Sequence, residues 1–396
     1  MLKKQLHNMS IHIHVWSNIP RHLVILISWI ITTSICWTYV NKTAPRITIS
    51  STASKQHAPQ RSWQQFAEEE MRKYNFTQQQ HPNNSSSFLF VHIGKTAGST
   101  VRMTLANNCL TFANKHRARK CKSFFTNQVP TTEQTILSKR TVAFTHVNYL
   151  RPPQIDINNI DYYVMPLRSP IDRFVSAFYM HTPRNNGEGC NNTNAKDMNG
   201  EESDAFFCNC YTYVSDLIND LNNTTEGIAS YQSPIVHLEK NRITTTCNEI
   251  GHKVFSTNPP SWTGHMASFD YNFYNNWMAN QQNKELHTKK QIIVIRKEHL
   301  WDDLQNIEYI LGGNATINSN TYKSTTHGSD KYKYNMPLTR KEMQLLCCLI
   351  IDEMELYVGY LLRAYNLGAE QRRESLQALD QQCNRDVCLH KRNRLN

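Results

Sequence analysis

Apolar positions gather in four short runs along this chain. They are Phe88-Leu89-Phe90-Val91, Thr141-Val142-Ala143-Phe144-Thr145-His146-Val147, Tyr162-Tyr163-Val164-Met165-Pro166-Leu167 and Gln291-Ile292-Ile293-Val294-Ile295-Arg296. Each is rich in β-branched or aromatic residues, so each predicts a strand. Between them the period turns helical. Phe174, Val175 and Phe178 recur at helical spacing over residues 170–180, with Ser169 as N-cap candidate and Pro170 at the first helical position. A further helix is predicted from about His299 to Leu311, stopped by Gly312-Gly313, and a long one from about Thr339 to Tyr365. Strands alternating with helices predict an α/β domain, a P-loop-like parallel sheet flanked by helices.

The flanks have other patterns. Leu23 to Val40 is free of charge and long enough to span a bilayer, which predicts a transmembrane signal anchor over 23–40 behind a cytoplasmic tail over 1–22. A cleaved signal peptide is the rival, but the apolar run is long and no clear Ala-x-Ala site follows. Residues 41–87 are Ser-, Thr-, Gln-, Asn- and Pro-rich and read as a stem, in which Trp63 to Tyr74 could form a helical turn or two. The ordered domain is expected over 88–368, with a polar, frayed tail over 369–396. Within the domain, 181–260 reads as a polar insertion with one amphipathic patch near Tyr211 to Leu221.

Composition narrows the setting. The 396 residues are 39% apolar, enough for one large core. The formal charge of +11 suits an anionic partner, and no nucleic-acid module or Lys/Arg run is present. Of eleven cysteines, Cys36 lies in the apolar span and the other ten follow it, an even number compatible with disulfides in an oxidising lumen. Cys208-x-Cys210 and Cys347-Cys348 lack zinc spacing, so no metal is expected. Asn-x-Ser/Thr acceptors at Asn41, Asn75, Asn83, Asn84, Asn191, Asn222, Asn223 and Asn314 agree with that compartment.

The first apolar run breaks into His92-Ile93-Gly94-Lys95-Thr96-Ala97-Gly98-Ser99-Thr100 and then Val101-Arg102-Met103. Strand, tight loop and helix start make an anion cradle, because unsatisfied N–H groups and the helix dipole face the loop. Gly94 and Gly98 would let the backbone approach a ligand, and Lys95 brings a charge. The Lys precedes the small residues, so the loop is not a Walker A loop. A buried strand followed by a solvated turn is the bland alternative. The third run ends in Arg168-Ser169-Pro170-Ile171-Asp172-Arg173-Phe174-Val175-Ser176, where Arg168 and Ser176 could converge on one phosphate. Alone, this motif reads rather as an Arg in a helix-cap salt bridge, and its pairing with the Lys95 loop in the right chain order is what makes it specific. His146, at the end of the second run, would sit on the same carboxyl edge of the sheet.

Taken together, these stretches resemble the membrane-anchored carbohydrate sulfotransferases that use 3′-phosphoadenosine 5′-phosphosulfate (PAPS). The loop 94–100 resembles their phosphosulfate-binding loop, and Arg168 with Ser176 their 3′-phosphate element. Thr145-His146-Val147-Asn148-Tyr149-Leu150 is similar to the uronyl 2-O-sulfotransferases, in which that histidine is the catalytic base. Met336-Pro337-Leu338-Thr339 and the helix after it are similar to that family's cofactor-covering loop and C-terminal helix. The resemblance covers about Phe88 to Tyr365 and implies a PAPS-dependent O-sulfotransferase with His146 and Lys95 catalytic. Gly94, Lys95, Thr96, Ala97, Gly98, Ser99, Thr100, Arg168 and Ser176 would bind PAPS. It further implies a single-pass type II Golgi protein, a glycoprotein with a lumenal domain, acting on an anionic polysaccharide or glycan. Two other readings stay open: a nucleotide kinase-like phosphotransferase, disfavoured by the missing Walker A loop, and a catalytically silent glycoprotein that binds polysaccharide.

Overall fold

The computed structural model describes residues 62–73, 82, 86–98, 100–101, 160–182, 201–225, 232–238, 243–281, 291–313 and 337–395, with 141–145 as backbone. All belong to one compact unit, Gln60–Asn396. The anchor expected over 23–40 lies outside the described residues, among which no helix is long and apolar enough to cross a membrane.

All four apolar runs are strands. After helix α1 (Trp63–Lys73) come β1 (Phe88–Val91), β2 (Thr141–Thr145) and β3 (Tyr162–Leu167), and much later β6 (Gln291–Arg296). They form a parallel sheet in the order β2-β1-β3-β6. Side chains alternate across it as a two-residue period demands. Leu89, Val91, Tyr163, Met165, Ile292 and Val294 enter the larger core. Phe88, Phe90, Tyr162, Val164, Ile293 and Ile295 enter a smaller one on the other face.

Helix α2 (Pro170–His181) buries Phe174 and Phe178 in the larger core. Ser169 does not cap it as expected, because its hydroxyl instead donates to Gln382 Oε1 at 2.6 Å. The 181–260 stretch contains helix α3 (Val214–Thr225), a hairpin of β4 (Ile235–Leu238) and β5 (Ile243–Thr246), and helix α4 (Cys247–Val254). The disulfide Cys210–Cys247 ties it together. Helix α5 (Tyr271–Gln281) leads to β6, and α6 (Leu300–Ile310) covers the smaller core with Leu304 and Ile307.

The long C-terminal helix is two helices, a correction to the sequence reading. α7 (Arg340–Leu349) starts on a Thr339–Glu342 capping box, and α8 (Ile351–Arg363) follows after Ile350 leaves helical geometry at φ −115°, ψ 27°. Ile350 and Ile351 are β-branched and favour such a break. Beyond α8, the Tyr365 amide donates to Ile292 O at 2.7 Å. The Asn366 side chain exchanges two 2.8 Å hydrogen bonds with the Val294 backbone. A side chain thereby does the work of another strand and blunts the β6 edge.

Residues 369–395 are also not a frayed tail. They form α9 (Ala369–Gln382) and α10 (Arg385–Leu395), bound to α7 by Cys347–Cys383 and Cys348–Cys388. Each disulfide closes a loop of 36 or 40 residues, worth about 3–4 kcal/mol in a chain-entropy account. The expected helix in the stem forms as α1 and packs on this end. The Trp63 amide donates to Asp380 Oδ1 at 2.7 Å, and its indole N–H donates to Cys383 O at 3.1 Å.

Candidate functional site

β1 has β2 on one side and β3 on the other, so the chain reverses its direction of travel across the sheet between β1 and β3. The crevice beyond the carboxyl ends of strands at such a reversal is where α/β sheets bind ligands. The two sequence motifs leave the sheet here. Lys95 follows β1 and Arg168 follows β3, and Arg168 Nη1 donates to Lys95 O at 3.4 Å. Lys297, just past β6, is close enough to repel the Lys95 ammonium. Every described strand end on this side of the reversal therefore contributes a cation.

Residues in the loop do not play the parts their types suggest. Lys95 and Ala97, not the glycines, have left-handed backbone, at φ 66° and 63°. Each such residue costs on the order of 1–2 kcal/mol, a strain typical of ligand-binding loops. Thr96 and Gly98 between and after them do not share that sign. Alternation of this kind turns successive N–H groups into one concavity, which suits an anion. The glycines are required by close packing instead. A Cβ on Gly94 would lie 2.0 Å from His265 Nδ1, and one on Gly98 would lie 2.0 Å from His92 Cδ2. The Thr96 hydroxyl donates to Ile93 O at 2.8 Å, so its proton is already committed to shaping the turn. Helical bonding begins with the Val101 amide donating to Ala97 O at 3.1 Å.

Lys95 is half-buried, with Nζ 3.3 Å from Met180 Sδ. Burial, reinforced by Arg168 and Lys297, lowers its ammonium to about 8. Met180 lies one helical turn beyond Ser176 on α2, so the two share a face. Ser176 is 8% exposed and thus reaches this side of the helix from within the fold. Burial likewise lowers the Arg168 guanidinium, and its Nε has no hydrogen-bond partner among the described residues.

Sequence reasoning missed the groups that hold these residues. Tyr271 takes both backbone polar groups of Arg168, accepting from its N–H at 2.9 Å and donating to its carbonyl at 2.8 Å. Arg173 is fully buried and forks onto Glu353 at 2.5 and 2.8 Å. Arg173 also donates to the carbonyls of His265 and Met266, which fixes the segment that packs on Gly94. Burial pushes the Glu353 carboxyl up to about 7, against the pull of Arg173 and with help from Asp270. His181 Nε2 accepts from the His265 amide at 3.3 Å, which leaves the His181 ring proton on Nδ1. Burial and the nearby Lys95 lower that imidazole to about 4, so it is neutral at physiological pH. The available signal was Gly264-His265, where φ of +50° lets the backbone pass over His181 Nε2.

The structure therefore brings together Gly94, Lys95, Thr96, Ala97, Gly98 and Arg168, with Ser176 on the neighbouring helix face. Thr100 is half-buried in the helix start. Ser99 and His146 lie outside the described residues. Each described cysteine is disulfide-bonded, including Cys347, Cys383 and Cys388, whose sulfurs cluster within 4.8 Å as metal ligands might be grouped. Asn222, one of the sequon residues, is 6% exposed and offers no surface to a glycan in the folded chain. No protein-family model, no curated protein and no solved structure matches this chain.

Proposed function

We propose that the chain is a lumenal, membrane-anchored sulfotransferase that moves the sulfuryl group of PAPS to a carbohydrate hydroxyl. The observation that carries this reading is the meeting of Lys95 and Arg168. Two motifs separated by 73 positions touch at the sheet reversal, and their mutual repulsion is what a phosphate between them would relieve. Left-handed Lys95 and Ala97 supply a fitting backbone cradle. The bonded cysteines agree with an oxidising compartment.

PAPS supplies the activated sulfuryl group. The loop N–H groups and Lys95 would hold its phosphosulfate end and take up negative charge on the departing phosphate oxygen. Arg168 and Ser176 would hold the second phosphate, positioned by Tyr271 and α2. His146 would remove the acceptor proton, which asks for a base with pKa near working pH. The basic balance of the chain fits an anionic polysaccharide or glycan acceptor.

The test uses the full chain in detergent. Isothermal titration with 3′-phosphoadenosine 5′-phosphate should give saturable binding, and labelled PAPS should pass sulfate to at least one polysaccharide in a panel. His146→Ala should leave nucleotide affinity near wild type while turnover falls by a factor on the order of 10²–10⁴. Saturable nucleotide binding without transfer to any acceptor would favour the silent, polysaccharide-binding reading. Absence of nucleotide binding would overturn the proposal.

A further inference from the structure

A cleft of about 610 Å³ lies between α2, the 254–261 stretch, the 266–270 segment with the start of α5, and the α7–α8 junction. Its volume falls in the roughly 300–1,000 Å³ range of small-molecule sites. Neither Lys95, Arg168 nor Ser176 lines it, and no Lys or Arg does.

The walls are aromatic. Phe255, Phe269 and Phe273 line the cleft and are each half-exposed to it. Their rings are held in place, Phe255 stacked on buried Phe174 at 5.4 Å and Phe269 edge-on to Phe273 at 5.1 Å. Anchored rings of this kind offer an apolar surface at little entropic cost. The rim is rich in amides. The side chains of Asn258 and Asn276 are exposed and make no hydrogen bond among the described residues, so each presents a donor and an acceptor together.

The floor decides the ligand's charge. Glu353 and Asp270 are there, Asp352 stands exposed in the same lining, and the Arg173 guanidinium behind them offsets one of the three carboxylates. An anionic ligand would meet net negative charge and no cation. A cationic ligand is poorly served too. Both Glu353 oxygens already take Arg173 hydrogen bonds, while Asp270 takes Phe273 N–H at 2.9 Å and Asn272 Nδ2 at 3.1 Å. A carboxylate oxygen so engaged retains a lone pair for one hydroxyl donor but not the open fork that a guanidinium needs. Burial raises both Asp270 and Glu353 toward the neutral form and so weakens their pull on an ammonium, and Asp352 has a partner of its own.

From this combination we propose that the cleft binds an uncharged saccharide. Pyranose C–H faces would lie on Phe255, Phe269 and Phe273. Hydroxyls would donate to Asp270 and exchange hydrogen bonds with Asn258 and Asn276. This inference stands apart from the sulfuryl-transfer reading, since it uses none of the residues assigned to PAPS.

The test is saturation-transfer NMR on the full chain in detergent, without nucleotide. Probes are the neutral tetramers of N-acetylglucosamine, mannose and glucose, with a sulfated heparan-type tetrasaccharide and glucosamine as charged controls. At least one neutral tetramer should bind with Kd of about 1 mM or tighter, and neither control should compete. Phe273→Ala should weaken that binding at least fivefold. Asn258→Lys, a change at an exposed position that leaves the core untouched, should do the same. Far-UV circular dichroism and thermal melting of both variants should match wild type and thus certify their fold. No neutral binding up to ~10 mM, preferential binding of either charged control, or neutral binding indifferent to both variants would each overturn the proposal.

Discussion

One tyrosine hydroxyl holds both backbone polar groups of Arg168. Tyr271 Oη lies 2.9 Å from the Arg168 nitrogen and 2.8 Å from its carbonyl oxygen, so it aims the end of β3 from a helix more than a hundred positions downstream. Removing the hydroxyl leaves two backbone groups without that partner in a part-buried place. Tyr271→Phe should cost about 2 kcal/mol of stability and weaken nucleotide binding severalfold. Arg168→Ala should weaken it by about 2 kcal/mol or more while stability changes less. Equal nucleotide affinity in wild type and Tyr271→Phe, by titration calorimetry, would show that the clamp does not position Arg168.

Arg173 and Glu353 form a buried fork, which makes each a liability without the other. Arg173→Met or Glu353→Leu alone should destabilise by about 3–5 kcal/mol, because a charge is left in the core. Combining them should recover at least half of that loss. Denaturant midpoints of the three variants would check the coupling, and simple additivity would refute it.

Keeping Lys95 charged opposes folding. Its folded value, about 8, lies below the ordinary lysine value. The unfavourable contribution is thus fully present below pH 8 and fades as pH rises toward 10.5. Lys95→Met should raise Tm by roughly 2–4 °C per kcal/mol recovered at pH 7, while nucleotide affinity falls. Wild-type affinity for the nucleotide should also decline as pH passes 8, and the variant should lose that decline. A destabilised Lys95→Met protein would mean that the burial of this ammonium is compensated in a way the geometry does not reveal.

His181 sets a limit of the same sign at acid pH. The unfolded chain takes up a proton near 6.5 and the folded one only near 4. Stability should therefore drop as pH falls from about 6.5 to 4, the window in which only the unfolded state binds the proton. His181→Gln keeps an acceptor for the His265 amide but does not titrate. Its urea midpoint should be flatter than wild type across that window, and parallel profiles would remove His181 as the source.

The sheet was legible because β1, β3 and β6 pack on both faces, which writes an uninterrupted apolar run into the sequence. Phe88-Leu89-Phe90-Val91 could hardly do otherwise. The Lys95–Arg168 meeting was legible because two local motifs end adjacent strands. What held them was not legible, since the Arg168–Tyr271 and Arg173–Glu353 contacts join positions 103 and 180 apart with no local signature. The C-terminal helices were missed for another reason. α9 buries little beyond Leu376 and Leu379, and disulfides to Cys347 and Cys348 supply the attachment that an apolar face would otherwise announce. The glycines of the loop misled by type, because Gly94 and Gly98 make room for imidazole rings while Lys95 and Ala97 take the strained backbone.

Trp63 is bonded to Asp380 and Cys383, partners 317 and 320 positions later. A ribosome adding about 5–20 residues per second needs tens of seconds to cover that distance. Through that interval α1 lacks the helix that accepts its hydrogen bonds, and β3 waits for β6 and for the residues at 364–366 that seal the β6 edge. A stop codon near position 368 would therefore strip Trp63 of both hydrogen bonds and leave α1 only its packing on α8, however complete the upstream sheet.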